Sequence, residues 1–278
     1  MSLYTVFGGR GFIGSEIVKQ LHQLGHDVFV PERDDVSIYH KDLGRVIYCA
    51  GNGDCKNEPF SVLEANVTLL SSLLKRASFK RLLYMSSTRV YMNQEDSNES
   101  ADLTVCVDDN RRLFNLTKLV AEELCLKSER NVCIVRPSNV YGVALNSSLF
   151  LPAITRNAIK SGFIDMYISQ DYSKDYISVE NVAEYCIKLS DNGDFEGGII
   201  NLASGYNVTA LQLADCLQKY TFCDIKWHLM SSSNAKETFS PVDISLLKEL
   251  FPGYVPSNVL HDLKLMIESY KIEMSKVC

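Results

Sequence analysis

The stretch Tyr4-Thr5-Val6-Phe7-Gly8-Gly9-Arg10-Gly11-Phe12-Ile13-Gly14 decides the fold of this chain. Its first residues predict an apolar strand and its glycines a tight turn. A helix should follow, because Ile13, Ile17, Leu21 and Leu24 recur on one face at three- and four-residue steps. Gly8, Gly11 and Gly14 stand at GxxGxxG spacing. The first two are expected to take positive φ and let the backbone approach a pyrophosphate, and the third to let helix and strand pack closely. The helix would then aim its N-terminus, with unsatisfied N–H groups and a positive dipole end, at a bound anion. Glycine pairs in loops are common. The position between a strand and a helix is what makes this one read as a nucleotide-binding loop.

Working outward, short apolar runs alternate with helical patterns. Asp27 to Val30, Arg45 to Cys49, Arg81 to Met85 and Val132 to Arg136 read as strands. Phe60, Leu63, Val67, Leu70 and Leu74 mark a helix between the third and fourth strands, and Arg111 to Leu126 another after the fourth. The economical solution is an α/β fold, a Rossmann-type doubly wound parallel sheet. So few residues separate the second and third strands that the helix between them must be short or absent. Beyond Gly142 the pattern loosens into a helix from about Phe150 to Lys160, an irregular stretch to Tyr176 and a return strand around Glu196 to Leu202. Helices over Ala210 to Tyr220, Ile244 to Leu250 and Asn258 to Met274 suit a small C-terminal α/β substrate lobe. Residues 1–142 and 175–204 are thus assigned to a dinucleotide-binding domain, and 143–174 and 205–278 to the substrate-binding lobe. Ligands of open α/β sheets bind at the carboxyl ends of the strands, so chemistry is expected near Phe7, Ala50, Ser86 and Arg136.

With 278 residues, 46% of them hydrophobic and 22% charged, the chain is long enough to bury a sizeable core. Its net charge of −6 and lack of a dense basic stripe argue against nucleic acid as a partner. Lys75 to Arg76 and Lys80 to Arg81 read as a solvated helix end. No apolar run is long enough for a bilayer, and the N-terminus enters a strand directly, so no membrane association and a cytoplasmic location are expected. The nine cysteines form no CxxC pair, and those inside apolar runs, such as Cys49, Cys125, Cys133 and Cys186, read as buried free thiols. His22, His26, His40, His228 and His261 show no ligand spacing, so no metal is expected.

Seven motifs in order then resemble the extended short-chain dehydrogenase/reductase family of nucleotide-sugar epimerases, dehydratases and reductases. FGGRGFIG is similar to its TGGxGFIG loop, IYCAG to its strand ending in Ala-Ala, and EANVTLLSSLLKRA to the next helix with its Asn, here Asn66. YMSSTRVY, RPSNVYG, KDYISVENVAEYCIKL and IINLASGYNVT resemble the later signatures in turn. The resemblance implies an NAD- or NADP-binding site on Gly8, Arg10, Gly11, Phe12, Ile13, Gly14, Glu32, Arg33, Ala50, Gly51, Asn66, Lys118 and Pro137. It implies a nucleotide-sugar substrate met by Asn139 and Lys174, and a homodimer through the helices around Phe60 to Leu74 and Arg111 to Leu126. In the first of these, Val62, Leu69 and Leu73 add apolar positions beyond one face.

The resemblance also implies a Tyr-xxx-Lys pair, and here the letters are Phe114-Asn115-Leu116-Thr117-Lys118. The lysine is kept and the tyrosine is Phe114, which has no proton to exchange. A missing general acid/base costs about 10²- to 10⁴-fold in rate. Lys118 would hold the nicotinamide ribose and Ser87 would hydrogen-bond the reacting oxygen, with Ser86, Ser87, Thr88 and Tyr91 as nearby groups that could supply the proton. Thr88-Arg89 stands where the family's dehydratases carry an acidic pair, which disfavours that reaction. Glu32 suits the adenosine ribose of NAD, whereas Arg10 with Arg33 suits the 2′-phosphate of NADP. Lys174 replaces an arginine, offering the substrate's diphosphate a point charge instead of a fork. The expectation is an NAD(P)-dependent epimerase or ketosugar reductase with an altered proton donor. The alternative is a cofactor-binding sensor or scaffold that has abandoned catalysis.

Overall fold

The glycine turn lies between β1 (Leu3–Phe7) and α1 (Phe12–Gln23). The computed structural model describes residues 1–147, 149–193, 195, 197–228 and 237–276. β1 pairs in parallel with β2 (Asp27–Phe29) on one side and β3 (Arg45–Tyr48) on the other, Val6 lying opposite Ile47. The link between β2 and β3 holds only a 3₁₀ turn, Val36–Tyr39, whose entry Asp35 caps by accepting from the Ser37 N–H. Too short for a full helical crossover, this link sends the chain back beside β1 instead of outside β2.

α2 (Pro59–Leu63), a π-helical turn (Glu64–Thr68) and α3 (Leu69–Arg76) lead to β4 (Arg81–Met85), and a 3₁₀ turn (Thr88–Tyr91) precedes α4 (Arg112–Lys127) and β5 (Val132–Pro137). Next come β6 (Asn139–Tyr141), α5 (Phe150–Lys160), β7 (Phe163–Met166), β8 (Ser173–Ser178), α6 (Val179–Asp191) and β9 (Gly198–Leu202). β10 (Asn207–Thr209), α7 (Ala210–Thr221), β11 (Asp224–Trp227), α8 (Ser245–Leu250) and α9 (Val259–Ser275) complete the described elements.

Six parallel strands form the main sheet in the order β2-β1-β3-β4-β5-β9, a Rossmann-like arrangement. The order reverses between β1 and β3, which opens a crevice at their carboxyl ends. On one face Ile17 and Leu21 of α1 pack with Val182, Cys186 and Leu189 of α6; on the other, Leu70 and Leu73 of α3 pack with Ala121 and Cys125 of α4. Burying a side chain such as Ile17 or Leu21 in this way stabilises the fold by about 1.5–3 kcal/mol. A smaller mixed sheet, β10-β8-β6, and the pair β11-β7 pack with α5, α7 and α9 around Leu213, Leu217, Leu263 and Tyr270. Val242, Ile244, Leu247 and Tyr254 join the core of the main sheet. Among the described residues no helix is long and apolar enough to cross a membrane.

Several expectations need correction. The stretch before Tyr176 is not irregular: it holds β7 and the start of β8, and β11 follows α7. β7 is a four-residue alternation, exposed-buried-exposed-buried, too brief to stand out from a loop. The return strand opens at Gly198, and Glu196 lies outside the described residues. The π-helical turn shifts the helical register, so Phe60 and Leu63 are 81% and 46% exposed, while Val62 and Leu73 are wholly buried in this chain's own core. Arg81 is no solvated helix end. It opens β4, 6% exposed, and donates to the carbonyls of Asn192 and Phe195 at 2.6 and 2.7 Å.

Candidate functional site

At the carboxyl ends of β1 and β3 lies a cleft of about 600 Å³, bordered by Gly8, Arg10, Gly11, Glu32, Ala50 and Gly51, with Arg33 beside them. Gly8 has φ +78°, and a Cβ there would lie 2.7 Å from the Ala50 nitrogen. A Cβ on Gly14 would lie 2.1 Å from the Gly8 carbonyl oxygen, so the helix can approach the strand only because position 14 has no side chain. Gly11 departs from expectation: its φ is −80°, the extended N-cap of α1, and its N–H donates to Gly8 O at 2.9 Å. The N–H groups of the first turn, at Phe12, Ile13 and Gly14, receive no side-chain cap, and that turn holds no acidic residue. A helix start left open beside a glycine cradle fits the diphosphate of a dinucleotide.

Glu32 and Arg10 meet over the rim, with Nη2 to Oε1 at 2.5 Å, while Arg10 also reaches the Pro31 carbonyl at 3.5 Å. Both side chains are exposed, and such a pair contributes only about 0–1 kcal/mol. Either partner is therefore free to turn to a ligand.

Under the cleft the loop after β3 is fixed by Asn66, which the π-helical turn carries and which is fully buried. Its Oδ1 accepts from Asn52 N–H at 3.2 Å, and its Nδ2 donates to Asn52 O at 3.1 Å and to Thr117 Oγ1 at 3.0 Å. This side chain ties the β3 loop to α4. A Cβ on Gly51 would lie 3.2 Å from Asn66 Oδ1 and 3.4 Å from Lys118 Nζ. Lys118 is buried and donates to the Met85 carbonyl, at the end of β4, at 2.7 Å. Burial pulls its ammonium down to about 8, with the Glu122 carboxylate opposing the shift. The ring of Phe114, one turn earlier on α4, is 5.6 Å from Lys118 Nζ.

Four hydroxyls could supply a proton near this lysine, but two of them are already engaged. Ser86 donates to Glu122, whose carboxylate also takes two hydrogen bonds from Arg136, at 3.0 and 2.6 Å. Tyr91 accepts from Arg136 at 2.6 Å and donates to Asn201 at 2.9 Å. Thr88 is buried in the 3₁₀ turn. Ser87 is half-buried; its Oγ accepts from Arg89 N–H at 3.1 Å, leaving its own proton to donate. Arg136 therefore belongs to a buried ion pair under the site, and Pro137, next to it, closes β5 in the core.

The family model for the NAD dependent epimerase/dehydratase family matches residues 4–203, well over half of the chain. This chain belongs to that family. A dTDP-4-dehydro-6-deoxy-D-allose reductase from Streptomyces sp is 25% identical, the match covering 75% of this chain and 78% of that protein. The structure of MoeE5 in complex with UDP-glucuronic acid and NAD superimposes with a TM-score of 0.84 at 17% identity, covering 98% of this chain and 99% of that one. A UDP-N-acetylglucosamine 4-epimerase from Methanobrevibacter ruminantium M1, in complex with UDP-N-acetylmuramic acid, does so with a TM-score of 0.82 at 20% identity over 98% and 99% of the two chains.

On the far side of the cleft of this epimerase/dehydratase chain, the sequence motifs named two residues and missed several. Asn139 donates through Nδ2 to the Asp175 carbonyl at 2.8 Å, bracing β6 against β8. Lys174 lies over the rings of Tyr172 and Phe239 and 4.0 Å from Glu237; burial pulls its ammonium to about 8. Glu237 also accepts from Arg89 at 2.8 Å and from Tyr172 OH at 3.1 Å, and Arg89 pairs with Asp109 at 2.7 Å. Arg111 sits over the Phe114 ring at 4.8 Å. Asp175 accepts from the backbone of Ser204, Gly205 and Tyr206 and so shapes the loop after β9. Asp175 stands inside a quoted motif and was legible there. Glu237 is 148 residues from Arg89, and no local pattern joins them.

Proposed function

We propose that this chain is an NAD(P)-dependent nucleotide-sugar epimerase or ketosugar reductase that moves a hydride at a sugar carbon with an altered proton donor. The observation that carries the reading is Lys118, buried, held by the Met85 carbonyl and lying behind Gly51, which borders the glycine-lined cleft. A lysine is kept at such a cost of burial where its charge has a ligand to meet. UDP-sugars are ligands of both structural neighbours named above, and NAD of the first of them.

In this reading the open first turn of α1 and Gly8 hold the dinucleotide's diphosphate, while Ala50, Gly51 and the Asn66-braced loop form the wall. Glu32 receives the adenosine ribose of NAD, steadied by Arg10; for NADP, Arg10 and Arg33 would take the 2′-phosphate once Glu32 turned away. The family's NAD dependence favours the first arrangement. When bound there, the nicotinamide would supply hydride transfer to or from a sugar carbon. Lys118 orients the nicotinamide ribose, and with an ammonium that exchanges its proton near pH 8 it shares the proton work with the free hydroxyl proton of Ser87. Asn139 and Lys174 face the sugar nucleotide. The substrate lobe, residues 143–174 and 205–278, lends Val242 to Tyr254 back to the dinucleotide-binding core.

Following nicotinamide absorbance with a panel of sugar nucleotides tests the reading. Spectral change with at least one of them is expected; no turnover and no binding of any would sink it. The second reading, a cofactor-binding sensor or scaffold, rests on Phe114, which offers no proton.

A further inference from the structure

We propose that Arg111 reads a carboxylate on the sugar itself, so that this chain prefers acidic sugar nucleotides to neutral ones. The proposal rests on the nucleotide-sugar reading above and adds to it a substrate class.

Two cations near Arg111 are already engaged. Arg89 gives its guanidinium to Asp109 and Glu237, and Lys174 lies beside Glu237. Asp109 already accepts three hydrogen bonds, from Arg89, from Arg111 N–H at 2.8 Å and from Asn115 at 2.9 Å, and none of them comes from the Arg111 guanidinium. The guanidinium of Arg111, by contrast, has no hydrogen bond and no ion pair among the described residues. It lies over the ring of Phe114, with Cζ 4.8 Å from the centroid, and against Gly53, where an added Cβ would come within 3.1 Å of Nη2. The half-buried Arg111 stands within electrostatic reach of Arg89, Glu237 and Asp109. Three cations (Arg89, Arg111 and Lys174) face two carboxylates (Asp109 and Glu237), leaving one positive charge unmatched.

An arginine fork left open is built for a planar two-oxygen anion, and Glu237 on Arg89 shows the kind of group this pocket holds. Its position selects which anion. Arg111 lies 4.8 Å from the ring of Phe114, one turn before Lys118, and beside Gly53 in the loop whose Gly51 and Asn52 border the cleft. Lys174, on the small sheet, is the residue that the reading above gives to the diphosphate, and Asn139, on the same sheet, meets the sugar nucleotide. A carboxylate carried by the reacting sugar is the anion that arrives beside Phe114.

The test is calorimetry on the NAD-loaded protein with UDP-glucose, UDP-glucuronic acid and their dTDP counterparts. The glucuronic acid form is expected to bind about tenfold or more tighter than the glucose form. Arg111→Gln should bring that ratio close to one, and Arg111→Lys should keep part of it, while NAD affinity in both variants reports an intact fold. Equal binding of the two sugars by the parent protein overturns the proposal. So does an Arg111→Gln loss that is the same for both, which would assign the guanidinium to the shared diphosphate. If NAD binds and no sugar nucleotide of either kind does, the nucleotide-sugar reading itself fails, and the proposal with it.

Discussion

Phe114 and Lys118 concentrate the chemical question into one turn of α4. Burial lowers the Lys118 ammonium from its ordinary 10.5 to about 8, so between those values the unfolded chain binds the proton that the folded chain has released. Stability contributed by this residue therefore rises with pH from about 8 towards 10.5, and below about 8 the full cost of a buried charge is present. In Lys118→Met that rise should vanish, which denaturant midpoints below pH 8 and near pH 10 will reveal; parallel curves for parent and variant would refute the buried charge. The same substitution should remove the limb near pH 8 from the kcat/KM profile. Phe114→Tyr addresses the proton donor. If Ser87 and Lys118 already handle the proton, the variant should stay within about tenfold of the parent in kcat. Activity that rises by about 10²-fold or more only in the tyrosine form would identify a retired enzyme.

Elements with a strong local signal were legible from the residues. Arg81–Met85 and Phe150–Lys160 occupy the bounds read from their patterns, and the glycine turn lies where its flanking strand and helix put it. What escaped has a physical reason in each case. The π-helical turn inserts a step that no 3.6-residue period contains, and it does so where Asn66 must turn inward to meet the β3 loop. β7 and β11 are too short for alternation to declare itself. Asn66→Ala would leave the Asn52 N–H without its side-chain acceptor and the Asn52 carbonyl without its donor, at a cost of about 1–3 kcal/mol. A lowered Tm together with weaker NAD binding is expected; unchanged NAD affinity would mean that the β3 loop keeps its shape unaided. Gly14→Ala should be harsher for the coenzyme, since the new methyl meets Gly8 O at 2.1 Å and either α1 or the glycine turn must move.

At the scale of the molecule, the motif order named the glycine turn and Lys118, but not the Arg89–Glu237 contact, which joins residues 148 apart. Association between copies was expected through the helices around Phe60 to Leu74 and Arg111 to Leu126, and the exposure of their apolar residues departs from that reading. Val62, Leu69 and Leu73 looked like surplus apolar positions, yet Val62 and Leu73 are wholly buried and Leu69 packs against the same core. Apolar groups that do face outward include Phe60 and Leu63 on α2 and Leu116, Val120 and Leu126 on α4, and the two helices lie side by side. We propose that this patch meets its own copy. A self-complementary surface of this kind closes as a two-fold dimer, and large exposed aromatics are costly unless covered. Light scattering at micromolar concentration should then give about 62 kDa, twice the 31.2 kDa chain. Phe60→Glu, which puts a charge at the most exposed of these residues and removes nothing from the core, should halve that mass while NAD still binds. A parent protein that already runs as a monomer would refute the dimer and leave the coenzyme site untouched.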